Sequence, residues 1–130
     1  MIKVLDEDLY KIVCSWWEHY KWTGVPINVL PARSYVYFDE EKPLCFGSLY
    51  KDETADFGMM DWIVANPDST PEQRENAIRE MEGHIRKVAE EIGVKLIITI
   101  CVTEKLADKM EKLGYVKANK DYSAHLIKSL

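Results

Sequence analysis

The chain has 130 residues, of which 47% are hydrophobic and 30% charged, and its formal net charge is −5. This size and composition fit one domain with a core of its own, so we predict a single domain over residues 1–130. The acidic balance argues against a nucleic-acid partner, which needs a basic face, and no apolar run approaches the roughly 20 residues of a membrane span.

The first third of the chain is predicted to form a strand, a helix and a loop. Residues 2–5 are a short apolar strand. Asp6 can cap a helix that runs to about Trp22, because apolar residues recur there at helical spacing. Residues 23–32 include a glycine and two prolines, which predicts a loop.

Three strands are predicted next, over residues 34–39, 44–51 and 57–65. They are rich in aromatic and β-branched residues, and short polar turns connect them. Two such short connections indicate an antiparallel meander.

The apolar period then changes to that of a helix. Thr70 and Gln73 fit a capping box, and Pro71 fits the first helical position. Apolar residues continue on one stripe as far as residue 92, and Gly93 ends the helix.

The C-terminal part of the chain is predicted to contain a strand, a short helix and closing strands. Residues 94–102 are nearly continuously apolar, which predicts a buried strand. A helix over residues 104–113 ends at Gly114, and residues 115–116 and 122–127 are predicted closing strands.

The element order is therefore β-α-βββ-α-β-α-β. The strands on either side of the long helix form a βαβ unit and should be parallel, with a right-handed crossover. The sequence thus predicts an α/β fold with a mixed central sheet and helices on both of its faces.

This order, in a chain of this length, resembles the GNAT superfamily of acyl-CoA-dependent N-acyltransferases. Residues 60–64, Met-Asp-Trp-Ile-Val, resemble the family's central strand, and residues 111–115, Glu-Lys-Leu-Gly-Tyr, resemble the end of its last helix. Further segments resemble small GNAT-like proteins of tailed bacteriophages: Trp16-Trp17-Glu18, Leu30-Pro31, Gly47-Ser48-Leu49-Tyr50, and Trp62-Ile63-Val64 with Asn66-Pro67 and Arg74. The resemblance implies the GNAT fold and transfer of an acetyl group from acetyl-CoA to an amine.

The family holds the coenzyme A pyrophosphate on a loop of the form Arg/Gln-x-x-Gly-x-Gly/Ala at the start of the long helix. The corresponding places carry Thr70, Gln73 and Glu75, and none matches. Acids such as Glu72 oppose a diphosphate here, although they also suit the helix dipole. Arg74 is the remaining candidate for a phosphate contact, the alternative being an ion pair with a nearby acid. We therefore expect acetyl-CoA to bind weakly.

Two further devices of the family are replaced in this chain. The general-acid tyrosine of the last helix corresponds to Met110, which cannot donate a proton. Tyr115 and Tyr122 are the nearest alternatives, although aromatic side chains in strands usually fill the core. The asparagine that meets the cofactor corresponds to Thr103, which is also a suitable helix N-cap.

The main-chain device of the family needs no particular side chain. The resemblance implies that the pantetheine arm of the cofactor bonds to the exposed edge of the central strand as a further strand would. The cofactor-binding residues would be Trp62, Ile63, Val64, Ala65 and Asn66, together with Arg74 and Thr103. Asp61 is the candidate general base, since apolar surroundings can raise the pKa of a carboxyl group; the alternative is an aspartate near a turn or in a salt bridge.

Trp16 and Trp17 are adjacent on the first helix, and we expect that they cannot both face the core. One of them would lie in a cleft on the acceptor side, or be partly buried under the loop that follows the helix.

The cysteines and histidines carry no recognisable metal or redox spacing. They are Cys14, Cys45, Cys101, His19, His84 and His125. Reduced thiols and an acidic N-terminus without a signal-peptide core indicate a cytoplasmic protein.

Two functions stay open at this point. One is an acetyltransferase that acts on a small-molecule or protein amine with Asp61 and Tyr115 as its catalytic residues. The other is a non-catalytic GNAT-like protein that binds a host or phage protein. A homodimer is open in both cases.

Overall fold

The computed structural model describes residues 1–101 and 103–117. The chain divides into two compact units, Met1–Ile98 and Thr99–Leu130. The single domain over residues 1–130 stays a prediction. In the described residues no helix is both long enough and apolar enough to cross a membrane.

The described elements follow the predicted order closely. They are β1 (Ile2–Val4), α1 (Glu7–His19), a 3₁₀ turn (Ile27–Val29), β2 (Ser34–Asp39), β3 (Lys42–Lys51), β4 (Phe57–Ala65), α2 (Pro71–Glu91), β5 (Leu96–Thr99) and α3 (Glu104–Lys112). The capping signals work as expected, because the Asp6 carboxylate accepts the Leu9 N–H at 2.8 Å. Thr70 and Gln73 form the reciprocal capping box of α2.

The five strands form one sheet in the order β1-β2-β3-β4-β5. The pairs β1/β2, β2/β3 and β3/β4 are antiparallel. Since α2 connects β4 to its neighbour β5, that connection is the crossover of a βαβ unit. The predicted α/β fold with a mixed sheet between helices is confirmed.

The two long helices cover opposite faces of the sheet, because alternate side chains of a strand point to opposite sides. On the α1 face, Trp17 meets Phe46 edge-on with ring centroids 5.6 Å apart. On the α2 face, Met81 and Ile85 pack so closely over Gly47 that an added Cβ would lie 3.0 and 3.2 Å from their side-chain atoms. The core therefore has two layers, one on each face of β2–β4.

The expectation that Trp16 and Trp17 cannot both face the core is wrong, since each is only 3% exposed. The reason is that α1 is covered on two sides. The sheet covers one side, and the chain after α1 covers another, with Val25 in the same cluster. An added Cβ on Gly24 would lie 3.7 Å from the Trp17 ring. Burial under this loop was the alternative that the sequence had left open.

Helix α1 ends three residues earlier than predicted. Lys21 has a φ of 59°, and the N–H groups of Lys21 and Trp22 bond to the carbonyls of Glu18 and Trp17 at 3.0 and 2.9 Å. This is a Schellman termination, which usually has glycine where this chain has lysine. The usual sequence signal was therefore missing.

The C-terminal part departs most from the prediction. Strand β5 is not buried, because Leu96 is 60% and Ile98 43% exposed; an apolar run alone does not tell which strand faces are covered. Residues 115–117 are not a strand. The predicted strand over residues 122–127 lies outside the described residues.

Candidate active site

The central feature of the site is a bulge in β4. Across β3 and β4, Phe46 pairs with Val64 and Ser48 pairs with Asp61. One β3 residue, Gly47, therefore faces two β4 residues, which defines a β-bulge. Such bulges turn a strand and re-aim its groups, and they are frequent next to active sites.

Trp62 adopts a left-handed backbone conformation in this bulge, with a φ of 61°. For a bulky residue this conformation costs on the order of 1–3 kcal/mol and persists only where the surroundings enforce it. Two hydrogen bonds do so here. The Trp62 N–H donates to Asp61 Oδ1 at 2.8 Å, and its indole Nε1–H donates to Tyr50 Oη at 2.8 Å.

The Tyr50 hydroxyl extends this network to the loop before β2. It donates to the carbonyl oxygen of Val29 at 3.1 Å. Burial raises the pKa of Tyr50, the Trp62 indole lowers it, and the nearby Asp61 charge raises it further. The net shift is upward, so the hydroxyl stays protonated and remains a donor at neutral pH.

Asp61 lies in the interior, at 3% exposure. Its backbone carbonyl accepts the hydroxyl of Ser48 at 3.1 Å, and Ser48 is itself fully buried. Asp61 thus lies on the central strand, as the sequence indicated, and next to a bulge that the sequence did not predict. Its catalytic role stays a prediction.

The end of β4 presents main-chain groups away from β3. The Asn66 N–H bonds to the Leu44 carbonyl at 2.8 Å. In an antiparallel pair such bonding residues alternate with non-bonded ones, so the N–H and C=O of Ala65 point to the other side. Strand β5 begins beside Asp56 and has four residues, too few to run alongside all of the nine-residue β4.

Tyr20, at the end of α1, occupies part of this edge. Its hydroxyl donates to the carbonyl of Ala65 at 3.1 Å. Its ring stacks on Trp22, with centroids 4.9 Å apart and planes 25° apart. Burial raises the pKa of Tyr20, while the positive charge of Arg74 lowers it. The net shift is upward, so the Tyr20 hydroxyl stays protonated at neutral pH.

The entry to α2 uses its own polar groups for internal bonds. The Asn66 side chain donates to the Pro43 carbonyl and accepts the Asp68 N–H, both at 2.8 Å. The capping box takes the N–H groups of Thr70 and Gln73 at 2.9 and 3.1 Å. The Asn66 amide and these N–H groups thus serve the fold itself.

Within the described residues, Arg74 donates to the carbonyl of Ser69 and forms no ion pair with an acid. This contact holds the guanidinium against the turn that leads into α2. Arg74 lies at the helix entry where the resemblance implied it, but it already has a protein partner there.

Tyr115 and Thr103 belong to the second unit, which is described by itself. The Thr103 hydroxyl caps α3 by accepting the Leu106 N–H at 3.1 Å, so its structural role is clear. Tyr115 follows Gly114, and its N–H bonds to the carbonyl of Met110 at 3.1 Å. Their predicted roles in catalysis and cofactor binding stay predictions.

Sequence reasoning missed Tyr20 and Tyr50. The only available signals were that Tyr20 ends the apolar stripe of α1 and that Tyr50 lies in a segment used for the resemblance. Neither pattern predicts that the Tyr20 hydroxyl bonds to a carbonyl 45 residues away, or the Tyr50 hydroxyl to one 21 residues away. Among the described residues, no group of histidine, cysteine, aspartate and glutamate could hold a metal ion.

No family model and no curated protein matches the chain. Solved structures do match it in fold. The ribosomal-protein-S18-alanine N-acetyltransferase from Escherichia coli has a TM-score of 0.72 at 16% identity, over 92% of this chain and 79% of that one.

Two further structures extend the comparison. N-acetylglutamate synthase from Neisseria gonorrhoeae, complexed with coenzyme A and L-arginine, has a TM-score of 0.72 at 12% identity; the match covers 96% of this chain but 29% of that one. A transcriptional regulator from Bacillus halodurans has a TM-score of 0.69 at 12% identity, over 97% and 99% of the two chains. At these identities the likeness concerns the fold alone. The chain has the GNAT fold.

Proposed function

We propose that this protein is an acyl-CoA-dependent N-acetyltransferase with a weak cofactor site on the edge of β4. The observation that carries the proposal is the Trp62 bulge followed by Ala65, whose main-chain groups point away from β3. The Ala65 carbonyl accepts the Tyr20 hydroxyl, so the N–H is the group that the edge offers. An extended amide-containing chain can bond to such an edge as an added strand would. The structural relative from Neisseria gonorrhoeae was solved with coenzyme A, which makes the pantetheine arm the natural candidate.

The proposed reaction transfers an acetyl group directly from the thioester sulfur to a primary amine. The amine nitrogen forms a bond to the carbonyl carbon, and the carbon–sulfur bond breaks. Asp61 accepts the proton that the amine loses. Because Asp61 is 3% exposed, the acceptor must displace neighbouring side chains or pass its proton through a water molecule. The departing thiolate takes a proton from solvent and leaves as coenzyme A.

A first experiment tests the proton acceptor. Release of coenzyme A from acetyl-CoA is followed with a thiol reagent in the presence of spermidine, glucosamine, free lysine and a lysine-containing peptide. With an accepted amine, Asp61→Asn should lower the rate on the order of 10²- to 10⁴-fold, as expected for the loss of a general base. Acetyl-CoA affinity, measured by titration calorimetry, should stay within about twofold because the main-chain edge is kept.

The matched control is Asp56→Asn, a change at an exposed residue just before β4. It should leave both the rate and the affinity unchanged. An Asp61→Asn protein that transfers acetyl groups at the wild-type rate would contradict the role of Asp61.

A second candidate function is a GNAT-like protein without catalysis, which binds a host or phage protein. The observation that favours it is the α2 entry, where the capping box occupies N–H groups that would otherwise be free for a pyrophosphate. Titration with coenzyme A separates the two. A dissociation constant near 0.1 mM, about −5.5 kcal/mol, would support the acetyltransferase. No binding at millimolar coenzyme A would favour the binding protein.

A further inference from the structure

The indole of the strained Trp62 bonds to the hydroxyl group of Tyr50. Tyr50 Oη accepts the indole Nε1–H of Trp62 at 2.8 Å and donates to the Val29 carbonyl at 3.1 Å. The hydroxyl thus uses its hydrogen and a lone pair at once, so it cannot rotate without breaking a bond. Both Tyr50 and Trp62 are half-buried, which limits the competition from water for the bond between them; the bond to Val29 is exposed.

The position of this hydroxyl differs from that of the other tyrosines that bond to main chain. Tyr10 donates to the Val25 carbonyl at 2.7 Å and Tyr20 to the Ala65 carbonyl. The Tyr50 hydroxyl, by contrast, also bonds to a side chain, the indole of the left-handed Trp62. Tyr50 is therefore the tyrosine placed to control the bulge.

We propose that Tyr50 is a positioning residue, which acts through the Trp62 indole to fix the bulge of β4 in the orientation that receives the thioester end of acetyl-CoA. The inference rests on the proposed function, because it assumes that the bulge receives acetyl-CoA. It adds a residue that touches neither the acyl group nor the amine. It also links the cofactor edge to the loop around Val29.

The variant Tyr50→Phe tests this directly, because it removes only the hydroxyl. Tyr10→Phe is the matched control, since it removes a hydroxyl that bonds to the same loop region but not to Trp62. Trp62→Phe is a second variant, which keeps an aromatic ring and removes the indole N–H.

The first measurement does not depend on any activity. Amide hydrogen exchange at Trp62 and Ile63 is followed by NMR in the full chain. It should become about tenfold faster in Tyr50→Phe and in Trp62→Phe, the change expected for one lost hydrogen bond. It should change less than twofold in Tyr10→Phe. The double variant of Tyr50 and Trp62 should exchange no faster than either single variant, because both remove the same bond.

The second measurement asks whether the bulge serves the acyl group. Affinities for acetyl-CoA and for coenzyme A are compared by titration calorimetry. Tyr50→Phe should weaken acetyl-CoA binding about fivefold more than coenzyme A binding, since the two ligands differ only at the thioester end. A general loss of structure would weaken the binding of both ligands equally.

The outcomes separate this inference from the proposed function. Unchanged exchange at Trp62 in Tyr50→Phe overturns the inference, whatever the ligands do. If exchange is faster but the affinities for acetyl-CoA and coenzyme A fall equally, Tyr50 has no role in positioning the bulge for the acyl group. If the wild-type protein binds neither ligand, the proposed function fails and the acyl role with it; the exchange data then show only whether Tyr50 holds the bulge. Faster exchange with selective loss of acetyl-CoA supports the inference in full.

Discussion

His84 is a titratable residue that the proposed chemistry does not use. It lies on α2, with its ring edge-on to Tyr35 at a centroid distance of 4.5 Å. Its Nε2 atom is buried without a hydrogen-bond partner in the described part of the chain. Burial lowers the pKa of His84 from 6.5, opposed by the charge of Glu91 and assisted by that of Lys87.

This environment predicts how stability depends on pH. Because folding lowers the pKa of His84, the unfolded chain binds this proton more readily than the folded chain. The contribution of neutral His84 is therefore intact above pH 6.5 and is lost as the pH falls from there through the lower folded value. His84→Gln should reduce the acid-induced loss, by less than the roughly 1.4 kcal/mol per pH unit that one full proton gives.

Urea unfolding at several pH values on both sides of 6.5 measures the effect. His19→Gln is the control, because His19 is exposed and should leave the pH profile unchanged. If the wild-type and His84→Gln proteins lose stability in parallel on acidification, other groups cause the loss.

The packing of α2 on the sheet explains which elements the sequence could predict. The apolar stripe of the helix, including Ile78, Met81 and Ile85, is buried as expected. The stripe did not show how closely α2 packs on β3. Gly47 on β3 permits that approach, because its missing Cβ is the space into which Met81 and Ile85 pack.

Two glycine substitutions with opposite outcomes test this contact. Gly47→Ala should destabilise the protein by about 1–3 kcal/mol, because the new methyl group meets fully buried side chains that have little room to move. Gly83→Ala should stabilise it by about 0.5–1 kcal/mol, since alanine is the better helix former and nothing lies within 4 Å of the added Cβ.

Denaturant unfolding compares both variants with the wild-type protein. Equal stability of Gly47→Ala and the wild type would show that α2 can shift away from β3 at little cost. A destabilised Gly83→Ala would show that the outer face of α2 is covered.

At the scale of the whole molecule, a net charge of −5 opposes an anionic ligand such as coenzyme A. Glu72 and Glu75 place part of that charge in the first turns of α2, and both are exposed. At this helix entry the two carboxylates interact favourably with the helix dipole but would repel the phosphates of coenzyme A.

Replacing these acids should improve coenzyme A binding. In the double variant Glu72→Gln/Glu75→Gly, each removed charge should relieve on the order of 0.5–1 kcal/mol of repulsion. The gain should shrink with added salt, because exposed charges are screened beyond about 10 Å at 0.1 M. Stability should fall somewhat, since glycine is a poor helix former.

Titration calorimetry at two salt concentrations, with a denaturant melt, measures both effects. The control Glu53→Gln/Asp56→Asn removes equal charge before β4, near the C-terminal end of α2 rather than its N-terminal entry. If the Glu72→Gln/Glu75→Gly protein folds but gains no affinity for coenzyme A at any salt concentration, these acids are not what weakens binding. That result would favour the non-catalytic GNAT-like protein that binds a protein partner.

The sequence by itself determined the element order as far as α3, the N-terminal caps of the helices and the α/β class. These depend on groups a few residues apart, such as Thr70 and Gln73, whose spacing is visible in the chain. It also placed Asp61 and the segment from Trp62 to Ala65 on the central strand, through the resemblance that the fold comparisons support.

Only the tertiary structure decided the conformation of the site. The left-handed Trp62, its bond to Tyr50 and the contact of Tyr20 with Ala65 join residues 12 to 45 positions apart. Whether such groups meet depends on strand register and on how closely α1 packs on the sheet, and a shift of one residue in register would turn every side chain to the other face. The same packing buried Trp16 together with Trp17, because a loop closed over the second side of the helix.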